Sequence, residues 1–132
     1  MASIDIANVT QRPVFNYNYG DPRVGNYDFT SIYKSYVTEY WRVVNELDLV
    51  PHVPPRFLGF YHNPTEVWYY NDVWKICNGS GEDPNCSDSL VVALSIIDHM
   101  DYMGVKMGML LCFSYENNCI LRMGSMLNCV KS

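Results

Sequence analysis

The apolar positions change period several times along the chain. Ala2, Ile4, Ile6, Ala7 and Val9 form a segment too short for periodicity to separate a helix from a strand. Beyond Pro13 the pattern becomes alternation, with Phe15, Tyr17 and Tyr19 separated by Asn16 and Asn18. That predicts a strand from Val14 to Tyr19, ended by Gly20-Asp21-Pro22. Phe29, Ile32, Tyr33 and Tyr36 then fall on one face of a helix running to about Thr38, with Asn26 or Asp28 as its cap. Tyr40 to Val44 reads as a second strand. Strand, helix and strand within about 30 residues is the spacing of a βαβ unit with parallel strands.

Downstream, Pro51, Pro54 and Pro55 make a rigid loop. Glu66 to Tyr70 and Asp72 to Ile76 are short and aromatic, and they predict an antiparallel hairpin. Ser89 to Ile97 is apolar, and a helix is expected over Asp98 to Val105. From Lys106 to Ser132 no period is visible, so residues 106–132 read as a tail without assigned structure.

A chain of 132 residues suits one domain of α/β type. Nine basic against fourteen acidic residues leave a net charge of −5. This excludes the basic footprint of a nucleic-acid binder. No apolar run reaches the ~18 residues of a membrane span. The 48% hydrophobic content supports a core, and the eleven tyrosines suit half-buried strands and the walls of binding surfaces.

Candidate chemistry centres on Asp48 and His99. Asp48 follows the second predicted strand, and sites in open parallel sheets gather beyond the carboxyl ends of strands. His99 lies 51 positions later, in Asp98-His99-Met100-Asp101. An acid after a strand and a base on a later loop is the order that closes a Ser-Asp-His triad in α/β-hydrolases. The nucleophile turn, G-x-S-x-G, does not occur in the sequence. No metal is expected, because His52 and His62 lack ligand spacing and no Cys-x-x-Cys occurs. No glycine-rich phosphate loop is present, and no cofactor is expected. Cys77 and Cys86 bracket a turn-rich segment, CNGSGEDPNC, which on composition alone fits a stapled loop and two free thiols about equally. The first residues, MASIDIANV, carry no basic region and do not read as a secretory signal.

Five segments, in order, resemble one family: GDPRVGNYDF (20–29), NELDLVPHVPP (45–55), YHNPTEVWY (61–69), CNGSGEDPNC (77–86) and SIIDHMDYMG (95–104). Residues 1–105 resemble the C-terminal half of class 3 lipases, the fungal triacylglycerol lipase type. The resemblance implies a partial α/β-hydrolase fold and a serine-esterase mechanism, with Asp48 as triad acid and His99 as general base. It implies that Val50, Val53 and Pro54 line the acyl pocket, and that Cys77 and Cys86 are bridged. Pro22-Arg23-Val24-Gly25-Asn26 and His62 take structural roles by the same resemblance. Met1 is expected just after the nucleophile elbow, so the partner is a lipid or small ester once an upstream half completes the site. The alternative is an inactive lipase remnant. A secreted or lumenal location follows from the family. The first strand, without its upstream neighbours, is expected to present an unpaired edge that promotes self-association.

Overall fold

Val14 to Tyr19 alternates because one of its faces is buried. In the computed structural model, which describes residues 2–92 and 95–107, this segment is strand β1 (Phe15–Tyr19). It lies between helices α1 (Ala2–Thr10) and α2 (Tyr27–Tyr36) in the chain. The ambiguous first segment is therefore a helix. Asn26 caps α2, its side chain accepting from the Phe29 amide. Strand β2 (Glu39–Asn45) follows, then two single 3₁₀ turns across the proline loop, Val50–His52 and Arg56–Leu58. Strands β3 (Glu66–Tyr70) and β4 (Val73–Ile76) form the expected hairpin.

The sheet order is β1-β2-β3-β4, with the first three strands parallel and β4 antiparallel to β3. Residues paired across strands share a face. Asn16 and Tyr40 share one, as do Val44 and Trp68, and this face is buried. Tyr33 and Val37 pack on Tyr40 beneath α2, with Ile4, Val14 and Phe29 around them. Val44 and Trp68 form a second cluster with Cys77 and Cys86. On the opposite face, Phe15 and Tyr17 are 57% and 53% exposed. Helices normally cover both faces of a parallel sheet. Here, among the described residues, the Phe15–Tyr17 side is the open one.

Arg42 and Glu66 meet within the buried face, Nη2 to Oε2 at 2.6 Å. Arg42 also donates to the Gly81 carbonyl, and Glu66 accepts the Ser87 amide. The pair thus fastens the Cys77–Cys86 loop to the sheet. That loop is closed by a disulfide, with the two Cα atoms 6.2 Å apart.

The helix expected over Asp98 to Val105 is not formed. Helix α3 covers only Ile96–His99, and a hairpin of β5 (Asp101–Tyr102) and β6 (Val105–Lys106) follows. Met103 and Gly104 both adopt positive φ, which breaks a right-handed helix. Asn45 also donates its side-chain amide to the Asp98 and Asp101 carbonyls, taking acceptors that a longer helix would use internally. The expected tail, 106–132, lies outside the described residues from position 108 onward, as do Cys112, Cys119 and Cys129.

Candidate functional site at the carboxyl end of the sheet

Asp48 reaches its place through a tight turn after β2. Glu46 takes positive φ, and the Asp48 amide returns to the Asn45 carbonyl at 2.9 Å. The Asp48 side chain is fully buried, with every hydrogen bond assigned to one oxygen or the other. Oδ1 accepts the Val50 amide at 2.8 Å. Oδ2 faces His99 Nδ1 at 3.0 Å and accepts the Tyr102 hydroxyl at 2.5 Å. A buried carboxylate with three partners keeps a fixed orientation, because any rotation would strand an acceptor away from water.

His99 is brought to this acid by backbone pairing. Ser95 forms an isolated parallel bridge with Asp48, its amide donating to the Leu47 carbonyl and its carbonyl accepting the Leu49 amide. The Ser95 hydroxyl caps α3, accepting from the Asp98 amide. Asp98 Oδ2 accepts the Leu47 amide at 3.1 Å. His99 ends this single turn. Its side chain is 34% exposed, and among the described residues only Asp48 hydrogen-bonds it. An acceptor carboxylate at Nδ1 selects the tautomer protonated there. The Nε2 lone pair is then left as a base.

Tyr102 is the residue that sequence reasoning missed. Burial, and then its hydrogen bond to Asp48, push the hydroxyl well above the usual tyrosine range, so it remains a donor. Its position three residues after His99 is the only signal of it in the sequence.

The residues expected on the acyl pocket are placed differently from one another. Val50 starts a 3₁₀ turn and gives its amide to the acid. Val53 and Pro54 offer their carbonyls to Arg23, the first to its amide and the second to its guanidinium. The apolar cleft beside α3 is lined by Leu47, Val92, Ser95, Ile96 and Ile97, and none of the three lies on it. Arg23 is buried and also holds Glu82 in a two-pronged pair at 2.9 and 2.7 Å. It joins the loop after Asp48 to the disulfide-closed loop.

His62 and His52 are packed away from solvent to different degrees. His62 Nε2 donates to the Pro51 carbonyl at 2.7 Å. Burial, then the nearby Arg42 and Arg23 charges, push its pKa far below the usual histidine range. His52 is lowered too, by burial and then Arg23. Among the described residues the one cluster with three ligand-type side chains is Glu66, Cys77 and Cys86. Its two sulfurs are bonded to each other and Glu66 is paired with Arg42, so it offers a metal nothing.

Residues 1–58 match the family model of lipase, class 3. A lipase of Rhizomucor miehei is 37% identical over 99 residues, which cover 73% of this chain and 27% of that protein. The crystal structure of a lipase from Rhizopus microsporus var. chinensis superposes with a TM-score of 0.73 at 35% identity, over 80% of this chain and 39% of that one. The chain belongs to the class 3 lipase family. A further solved neighbour, 39% identical with a TM-score of 0.66, is a triacylglycerol lipase whose catalytic centre is described as a serine protease triad; it is matched over 71% of this chain and 37% of its own. This member of the class 3 lipase family carries a part of the α/β-hydrolase fold. It spans about a quarter of the length of the first curated relatives it matches, 27% and 24%.

Proposed function

We propose that Asp48 and His99 are the acid and base of a serine-hydrolase site that cleaves carboxylic esters of lipids, completed by a nucleophile and oxyanion donors from outside the described residues. The observation that carries the reading is the 3.0 Å contact of Asp48 Oδ2 with His99 Nδ1, made by an imidazole whose other nitrogen is free of protein partners among the described residues. The lipase relatives, and the triad named for one solved neighbour, support the choice of reaction.

In this reading His99 Nε2 takes the serine hydroxyl proton as the oxygen attacks the ester carbonyl. The imidazolium then gives that proton to the departing alcohol, leaving an acyl-serine. Water repeats the sequence and releases the fatty acid. Asp48 holds the ring and stabilises the imidazolium without taking the proton. The cleft along Leu47, Val92, Ile96 and Ile97 supplies an apolar wall of the kind an acyl chain needs.

The test is hydrolysis of a short p-nitrophenyl ester. Residues 1–132 alone are expected to give no turnover above the His99→Ala variant. Addition of a segment carrying G-x-S-x-G, covalently or as a second chain, is expected to restore it. That activity should then fall by orders of magnitude on His99→Ala, and by less on Asp48→Asn. Turnover that survives His99→Ala would place the chemistry elsewhere. A completed chain that folds but hydrolyses nothing would make this an inactive, binding-only lipase relative.

A further inference from the structure

Gly20 ends β1 at φ +62°, in the left-handed region that favours glycine. Its amide donates to the Val43 carbonyl at 2.9 Å, so the residue is pinned to β2 and cannot drift. A Cβ built on it would stand 2.7 Å from His99 Nδ1, 2.8 Å from Asp48 Oδ2 and 2.8 Å from His99 Cε1. Those are the two atoms that make the acid–base hydrogen bond, together with the ring carbon between the imidazole nitrogens. Real Cβ atoms essentially never come so close. Asp48 cannot give way, being fully buried and held through both oxygens, so the partly exposed His99 ring is the group that must move.

We propose that Gly20 is a positioning residue for the Asp48–His99 pair, its bare Cα being the surface against which both groups seat. The inference rests on the reading of that pair as acid and base. Any L side chain at this position acts as a wedge. It enters where the Nδ1–H to carboxylate bond lies and turns the imidazole off the acid. The ring then loses its enforced tautomer, while the sheet beneath it stays intact.

Two causes of damage need separating, the positive φ and the wedge. Gly59 supplies the control: it has φ +83° and nothing within 4 Å of a Cβ built on it. Gly59→Ala carries the backbone cost alone.

The experiment uses chain labelled with ¹⁵N in its histidines, His99 being assigned by its disappearance in His99→Ala. The wild type and Gly59→Ala are expected to show the His99 ring protonated at Nδ1, with that proton far downfield. Gly20→Ala is expected to lose this signal and show the ¹⁵N shifts of exchanging tautomers. In the completed, active protein, Gly20→Ala should lower kcat at least tenfold with KM little changed. If Gly20→Ala melts, a double-mutant cycle on stability decides. The loss should be smaller in a His99→Ala background, where the wedge meets less. A Gly20→Ala variant that keeps the Nδ1–H signal, or the same stability loss with and without the His99 ring, overturns the proposal. Absence of the signal in the wild type overturns the acid–base reading itself, and the proposal with it.

Discussion

The Tyr102 hydroxyl and the His99 ring both bond the same oxygen of Asp48, Oδ2, at 2.5 and 3.0 Å. The tyrosine is 2% exposed, so its hydroxyl has no solvent to fall back on. Tyr102→Phe removes one donor and leaves a buried carboxylate short of a partner. Hydrogen bonds to charged groups contribute about 1.5–3 kcal/mol. An unfolding free energy lowered by that amount in urea titrations is expected. The completed enzyme should lose less activity than on Asp48→Asn, because the His99 contact survives.

Arg42 and Glu66 are both essentially without exposure; Arg42 also bonds Gly81 in the loop closed by Cys77 and Cys86, and Glu66 the Ser87 amide just beyond it. Breaking a buried pair by removing one partner typically costs about 3–5 kcal/mol, since the other charge stays behind. Arg42→Met and Glu66→Leu should each destabilise by an amount of this order in guanidinium titrations. The double variant is expected to recover much of the loss. Equal additivity of the two single losses would contradict the coupling.

The depressed pKa of His62 makes stability depend on pH in a defined direction. The folded ring stays neutral while the unfolded ring protonates near pH 6.5. The unfolded state therefore binds the extra proton below that value. Stability is fully present above pH 6.5 and is lost as pH falls from 6.5 toward 5, above the carboxylate range. The slope from one such histidine approaches about 1.4 kcal/mol per pH unit. His62→Gln, which keeps a donor for the Pro51 carbonyl, should flatten the slope measured by denaturant melts at stepped pH.

The open edge of β1 has a definite polarity. The Val14 carbonyl and the Gly20 amide both bond the β2 side. Backbone groups of Phe15, Tyr17 and Tyr19 therefore point the other way, along a strand with no further neighbour among the described residues. Unpaired edges template association. Residues 1–132 expressed alone should self-associate in sedimentation experiments, and Tyr17→Lys should shift them toward monomer. A monodisperse wild-type monomer would contradict this.

What could be read from the sequence was what depends on local period. Alternation at Phe15, Tyr17 and Tyr19 marked β1, and the spacing of Phe29, Ile32, Tyr33 and Tyr36 marked α2. The acid and the histidine were legible through their order and their resemblance to class 3 lipases, and the structure sets them 3.0 Å apart. The helix expected after Asp98 failed because Asn45, more than fifty positions away, claims its carbonyls. Tyr102, Arg23 and Gly20 act through partners 25 or more positions distant, and no periodicity encodes such contacts.

The Ser95 bridge has a consequence for how the molecule fails. The segment with His99 is attached to the sheet by two backbone bonds at Ser95, one to each side of Asp48, and by side-chain bonds made by Asn45, Asp98, His99 and Tyr102. The sheet itself rests on packed aromatics and the Arg42–Glu66 pair. Segments with few buried contacts open at lower free energy than the core they lie on. On heating, the histidine is expected to swing away from its acid while the strands remain folded. Amides at Leu49 and Ser95 should exchange with solvent before those of β2, and in the completed protein any hydrolysis should be lost before the far-ultraviolet dichroism. A thermal melt followed by spectroscopy alone would then overstate the temperature to which the site survives.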